Sequence, residues 1–126
     1  VGGGKIQSSS ELVSGEVLKP WGSYKTFEQG EGYLVKRMTV LPDEILSLQS
    51  HNHRSEYWFV AEGVATVECD TETTLLSKHE STFIPLGAKH RLSNMGEEIL
   101  KVIEVQVGDE LREDDIIRYE DRYDRN

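Results

Sequence analysis

From Val17 onward, short runs rich in β-branched and aromatic residues alternate with turn residues every eight to twelve positions. The pattern predicts strands over residues 22–28, 33–40, 46–51, 56–62, 64–69, 73–76, 81–84, 90–93 and 100–107. Between them stand Gln29-Gly30-Glu31-Gly32, Pro42-Asp43-Glu44, Gly63, Asp70-Thr71, Pro85-Leu86-Gly87 and Asn94-Met95-Gly96. Many short strands with almost no helical periodicity predict an all-β fold, an antiparallel sandwich or barrel. No internal repeat of fixed period is visible.

The two ends read differently. Residues 1–15 are rich in Gly and Ser and are expected to be a flexible tail or cloning scar, leaving 16–126 as one domain. Residues 109–126 hold eight acids and four arginines, interspersed with Ile116, Ile117, Tyr119 and Tyr123. A solvated acidic tail rarely carries two aliphatics and two tyrosines. The segment is therefore expected to pack back on the barrel, with Ile116, Ile117 and Tyr119 as its anchors.

Composition narrows the function. The chain has 126 residues, enough for one domain, with 37% hydrophobic and 29% charged residues. Its 14 Lys+Arg stand against 23 Asp+Glu, a net charge of −9. Such a surface repels phosphate backbones and anionic lipid, so neither nucleic acid nor membrane is an expected partner. No apolar run approaches the ~20 residues that span a bilayer. Residues 1–10 lack the apolar segment of a signal peptide, and the lone Cys69 cannot form an internal disulfide. A cytoplasmic location is the expectation.

Three of the four histidines carry the candidate chemistry. His51 and His53 lie two apart at the end of a predicted strand, where period-2 geometry would point both to one face and toward one divalent metal. Glu56 and then Gly63 follow. A separate block, Pro85-Leu86-Gly87-Ala88-Lys89-His90-Arg91-Leu92-Ser93-Asn94, turns tightly and feeds His90 into a new strand.

These blocks resemble the two motifs of the cupin superfamily, the first on His51, His53, Glu56 and Gly63, the second on Pro85, Gly87, His90 and Asn94. The resemblance implies a double-stranded β-helix, a small jelly-roll-like barrel, holding one divalent metal on His51, His53, Glu56 and His90. Three imidazoles and a carboxylate suit Zn first, and Mn, Fe, Co and Ni fit the same set. The gap between His53 and Glu56 is two residues where three or four are usual. Asp43 and His79 stand where turn glycines are common, so either is placed to need φ > 0.

A closer resemblance runs through Lys19-Pro20-Trp21-Gly22-Ser23-Tyr24, Leu46-Ser47-Leu48-Gln49, His53-Arg54-Ser55-Glu56-Tyr57-Trp58, Glu104-Val105-Gln106 and Glu113-Asp114-Asp115-Ile116-Ile117-Arg118. In this order they are similar to the type II phosphomannose isomerase domain, the C-terminal half of bifunctional mannose-1-phosphate guanylyltransferases. No Gly-rich phosphate loop of the nucleotidyltransferase half appears, so only isomerase chemistry is expected. Lys19 stands where Arg is usual, Tyr57 where His is common, and Asp124 where Gly precedes the final Arg.

The implied reaction interconverts mannose 6-phosphate and fructose 6-phosphate through an enediol. It needs a Lewis acid at the carbonyl oxygen, a base near C2–H, and cationic donors for the phosphate. Glu104 is the first candidate base: alternation places it with Val102 and Gln106 on one face of its strand, and which face points inward is open. Gln49 shares the strand of His51 and is a candidate for contact with substrate. The resemblance maps Arg118 and Arg125 onto isomerase-site positions, with Lys19 and Arg54 as further phosphate ligands. Taken singly, Arg54, Arg91 and Lys36 read as solvated surface charges. Trp21 and Trp58 fill the core or stack on sugar. The alternatives are a sugar- or metabolite-binding cupin without catalysis, and a cupin oxygenase or sugar-nucleotide epimerase. Exposed strand edges suggest a homodimer.

Overall fold

The structure, a computed structural model, describes residues 15–123. Of the proposed tail, only Gly15 falls within this range, and Asp124 and Arg125 lie outside it. The described residues form two antiparallel sheets and no α-helix. One sheet orders β1 (Val17–Lys19), β2 (Gly22–Gly30), β3 (Tyr33–Val40), β10 (Leu100–Gly108), β5 (Arg54–Glu62) and β8 (Ser81–Ile84). The other orders β11 (Ile117–Glu120), β4 (Leu48–Ser50), β9 (His90–Ser93), β6 (Ala65–Cys69) and β7 (Glu72–Leu76). All nine predicted strands are present, and 33–40, 81–84 and 90–93 keep their bounds.

The inward faces of the larger sheet explain where a site can form. Leu34, Lys36, Met38 and Val40 of β3 are buried at alternate positions, as are Arg54, Glu56, Trp58 and Val60 of β5 and Leu100, Val102, Glu104 and Gln106 of β10. Register aligns these rows. Val102 lies opposite Met38 and Val60, Glu104 opposite Lys36 and Trp58, and Gln106 opposite Leu34 and Glu56. The interior is thus apolar at one end of the strands and ionic at the other. Trp21, Met38, Val40, Trp58, Val60, Ile84, Leu92, Leu100 and Val102 form one continuous core, so both tryptophans are core residues.

The turns between strands show what the apolar pattern leaves to backbone conformation. Asp43 (φ 67°) and His79 (φ 74°) both adopt the left-handed region anticipated for them, and Asp70 (φ 54°) joins them. Each is held by backbone bonds: Asp43 N–H donates to Asn94 O at 2.9 Å, His79 N–H to Val60 O at 2.7 Å. The acidic segment does return to the barrel, as β11 alongside β4, but not by full burial of Ile116, Ile117 and Tyr119. Ile117 and Tyr119 are exposed and only Ile116 is half-buried. The segment is held by polar contacts: Tyr119 Oη to Ser50 Oγ at 2.9 Å, Arg122 Nη1 to Asp43 O at 2.6 Å, and the Tyr123 hydroxyl to Glu44. A strand at a sheet edge satisfies its backbone on one side only, so its aliphatics need not be covered.

Gly108 marks the tightest approach around the ionic end. A Cβ there would lie 2.0 Å from His53 O and 3.0 Å from Arg54 Cα, both backbone atoms. Gly108→Ala is therefore expected to lower the urea-unfolding free energy by about 1–3 kcal/mol, the range for overpacking. An unchanged midpoint would show that β5 and β10 can part there at no cost.

Candidate metal centre and its cavity

Three side chains converge at the ionic end of the barrel. The Glu56 carboxylate lies 3.3 Å from His51 Nε2 and 3.9 Å from His90 Nε2, and all three residues are buried. One ligand atom from each falls within 4.8 Å of the others. They come from different places in the chain: Glu56 from β5, His90 from the first position of β9, and His51 from the residue after β4. The turn that delivers His90 is the Pro85–Gly87 block, where Ala88 N–H donates to Pro85 O and Gly87 N–H donates to His51 O at 3.1 Å. That turn therefore binds the two histidine-bearing segments together.

The imidazoles are oriented by their second nitrogens. His51 Nδ1 faces Asp115 O at 2.6 Å, and His90 Nδ1 faces Ala88 O at 3.0 Å. A carbonyl only accepts, so each Nδ1 carries the hydrogen and each Nε2 keeps its lone pair toward Glu56. Two neutral imidazole lone pairs and a carboxylate are a donor set for one divalent cation, with further positions left for water or substrate. Burial, followed by the Arg54 guanidinium, drives the His51 pKa down to about 4, so the ring is neutral and ready to ligate at physiological pH.

His53 does not join them. The chain leaves β4 at Ser50 and bends through residues 51–53, so strand alternation does not carry from His51 to His53. The bend is fixed by Asp115, whose carboxylate accepts N–H bonds from Asn52 and His53, both at 2.9 Å. His53 is left 48% exposed, its Nε2 4.0 Å from Glu110.

Arg54 corrects the expectation of a surface charge: it is buried against the centre. Its Nε donates to Glu56 Oε2 at 2.7 Å, Nη1 to Arg112 O at 3.2 Å, and Nη2 to the His51 Nε2 lone pair at 3.2 Å. Trp58 Nε1 donates to the other Glu56 oxygen at 2.9 Å. These two donors aim the Glu56 carboxylate. A metal bound here takes over the lone pair that Arg54 now uses.

Beside the triad opens a cavity of about 140 Å³, room for several waters. Lys19, Lys36, Arg54 and Arg118 line it together with Glu56, Glu104 and Glu113. Four cations around one cavity are notable in a chain of charge −9. Glu104 faces inward and is buried, with Gln106 Nε2 donating to its Oε2 at 2.6 Å and Lys36 Nζ at 3.8 Å. Burial, then the nearby Glu56 carboxylate, pushes the Glu104 pKa above the ordinary carboxyl range, against the pull of Lys36. Gln49 and Arg118 also line the cavity, and register explains why: Arg118 of β11 pairs with Gln49 of β4, which pairs with His90 of β9. The row brings metal ligand, amide and guanidinium to one sheet face. Arg118 Nε is buried without a hydrogen-bond partner. Of the substrate-binding candidates, Lys19 is at the cavity and Arg125 lies outside the described residues.

Three contributors escaped the sequence reading. Lys36 is buried, not a surface charge; its place between Leu34 and Met38 on the apolar face of β3 was the available signal. Glu113 and Asp115 reach the site across some sixty to eighty residues of chain, a contact that local pattern does not encode.

Comparison with known proteins assigns the chain to a family. The family described as mannose-6-phosphate isomerase C-terminal matches residues 7–121. The chain belongs to this family. It is 52% identical over 110 residues, 87% of its length, to the mannose-1-phosphate guanylyltransferase ManC of Salmonella typhimurium, covering 23% of that protein. It is 51% identical over 110 residues to the alginate biosynthesis protein AlgA of Pseudomonas aeruginosa, covering 87% of this chain and 23% of AlgA. The chain thus spans about a quarter of the length of the curated relatives it matches. The cupin domain of Cnp3 from Schizosaccharomyces pombe superposes with a TM-score of 0.65 at 14% identity, covering 69% of this chain and 64% of that one. The fold of this family member is accordingly a cupin barrel. Among the described residues no helix is long and apolar enough to cross a membrane.

Two outcomes follow for the centre. His90→Ala removes a ligand and should weaken Zn or Mn binding by more than the roughly 10–100-fold that outer-shell changes cause, whereas His53→Ala should leave one ion per chain. Calorimetric metal titration checks both. In the metal-free protein, His51 takes up a proton near pH 4 when folded and near 6.5 when unfolded. The unfolded state therefore binds more protons between these values, and stability should fall as pH drops from about 6.5 to about 4. Urea midpoints across that window, for wild type and His51→Gln, measure the contribution.

Proposed function

We propose that this cupin domain is a metal-dependent aldose–ketose isomerase interconverting mannose 6-phosphate and fructose 6-phosphate. The observation that carries the reading is the composition of the cavity beside the triad. A two-histidine, one-glutamate donor set, a buried carboxylate of raised pKa and four cations line the same space. Each corresponds to one requirement of proton transfer between adjacent carbons of a phosphorylated sugar.

His51, Glu56 and His90 would hold the metal, which when bound supplies Lewis-acid polarisation of the sugar's carbonyl and hydroxyl oxygens. Glu104 serves as the base. Its ionised carboxylate takes the proton from C2 of the aldose and returns it to C1, while the O2 hydroxyl proton passes to O1 through the enediol, giving the ketose with no net proton change. Gln106 occupies one Glu104 oxygen and leaves the other for the sugar. Gln49, anchored through Nε2 to Ser47 Oγ at 2.8 Å, offers its carbonyl oxygen to a sugar hydroxyl. Arg118 and Lys19 receive the phosphate, the former through an Nε that has no protein partner.

The departures from the family pattern leave this machinery intact. Tyr57, which stands where His is common, is 51% exposed and packs outside the barrel against Phe83. Lys19 keeps a cation at the cavity where Arg is usual.

A coupled assay with mannose 6-phosphate over Zn, Mn, Fe, Co and Ni tests the reading. Glu104→Gln should lower kcat by at least about a hundredfold with KM changed only a few-fold, as expected for loss of a general base. Arg118→Ala should raise KM about tenfold or more, with metal content unchanged. Tight sugar-phosphate binding without turnover in any metal form would assign the domain as a binding module instead.

A further inference from the structure

Lys36 is a cation of the cavity that the barrel buries deeply and yet shares with a carboxylate from outside it. Its ammonium lies 3.8 Å from Glu104 Oε2 and 3.4 Å from Glu113 Oε2, and 4.3 Å above the Tyr24 ring. The two carboxylates differ in kind. Glu104 is part of the wall, opposite Lys36 in the β3–β10 register and buried with it. Glu113 belongs to the stretch between β10 and β11, and its side chain is 59% exposed. An ammonium needs one counter-ion, and Glu104 supplies it.

The surroundings of the second carboxylate are those of a bound anion. Besides the Lys36 ammonium, it faces the Tyr24 phenol, whose ionisation is pushed up by burial first and then by Glu113. Lys19 Nζ stands 5.8 Å from the centroid of the same Tyr24 ring. Arg118, with its partnerless buried Nε, lines the same cavity. Glu113 is presented there by a turn whose two ends are pinned: Arg54 Nη1 donates to Arg112 O, Asp115 N–H closes the turn on Arg112 O at 3.2 Å, and Asp115 clamps residues 51–53. The carboxylate can therefore rotate into solvent while the segment stays docked. An ion pair with a partner this exposed is weak, so little holds it in place.

We propose that Lys36 and Tyr24 form an anion-receiving subsite of the cavity, and that the Glu113 side chain is its built-in occupant, displaced when a phosphate dianion enters. The inference rests on the sugar-phosphate reading for the identity of the anion's carrier. Three phosphate oxygens carrying nearly two charges satisfy the ammonium, the phenol and the neighbouring cations better than one carboxylate does. Between substrates, Glu113 in turn keeps the half-buried Tyr24 phenol bonded and gives the Lys36 ammonium a second partner.

Titration calorimetry on the full chain, with fructose 6-phosphate and separately with inorganic phosphate, tests this. Glu113→Gln removes the competitor and should tighten binding of both probes at least threefold, while leaving binding of unphosphorylated fructose unchanged. Tyr24→Phe should weaken both phosphate probes several-fold, and Lys36→Met tenfold or more. Combining Glu113→Gln with Lys36→Met should bind no more tightly than Lys36→Met alone. If Lys36→Met does not fold, the Glu113→Gln and Tyr24→Phe arms decide. Unchanged or weaker binding in Glu113→Gln overturns the proposal, as does absence of any binding of either probe. Tightening in Glu113→Gln without turnover in the wild type would remove the isomerase reading and leave this subsite standing. Turnover with affinities indifferent to Glu113 and Tyr24 would remove the subsite alone.

Discussion

The Glu56 carboxylate is the group on which the ionic half of the barrel depends. A buried carboxylate without partners is prohibitively costly, and here both oxygens are used, one by Trp58 Nε1 and one by Arg54 Nε. The same residue faces His51 and His90. Removing it would strand a buried guanidinium and leave the two imidazoles without the carboxylate they face. The ionic end can exist inside a small barrel because charges of opposite sign sit opposite one another in register, Glu104 on Lys36 and Arg54 beside Glu56.

This arrangement explains why the acidic C-terminal segment is part of the site. Asp115 supplies a backbone oxygen that fixes the His51 tautomer and a carboxylate that fixes the bend after it. Burial pushes the Asp115 carboxyl up, and the two backbone N–H bonds more than reverse this, holding it below its ordinary value. The residue is thus ionised wherever the His51 ring is neutral. Ile116 and Arg118 follow within three residues and line the cavity. The His51 ring, the cavity wall and the Arg118 guanidinium are therefore positioned by one short stretch of chain.

Much of this was legible in the residue pattern, for identifiable reasons. Period-2 alternation with turn residues located every central strand, and the block around His90 lay on a strand with the predicted bounds. Glu104 was legible as one member of a face, and burial of Val102 and Gln106 beside it settles which face is interior. The His51–His53 pair misled because alternation was carried past the end of β4 into a bend made by Asp115, a residue sixty-two positions later. Arg54 and Lys36 were read as surface charges because single-residue statistics describe the average cation. The average cation does not have a buried glutamate beside it, as Lys36 has Glu104 on the adjacent strand and Arg54 has Glu56 two positions along its own. The edge strand β11 was anticipated only as a packing segment; what holds it is hydrogen bonding by Ser50, Asp43 and Glu44, which apolar content cannot report.

The central claim is that Glu56, His51 and His90 form one metal centre from which His53 stands apart. Anomalous diffraction from crystals of the Zn- or Mn-loaded protein, recorded at the edge of the added metal, tests it most directly. The account predicts one strong peak per chain bonded to His51 Nε2, His90 Nε2 and the Glu56 carboxylate, with the His53 ring outside bonding distance. A peak that includes His53 among its ligands, or none at the triad, would contradict it.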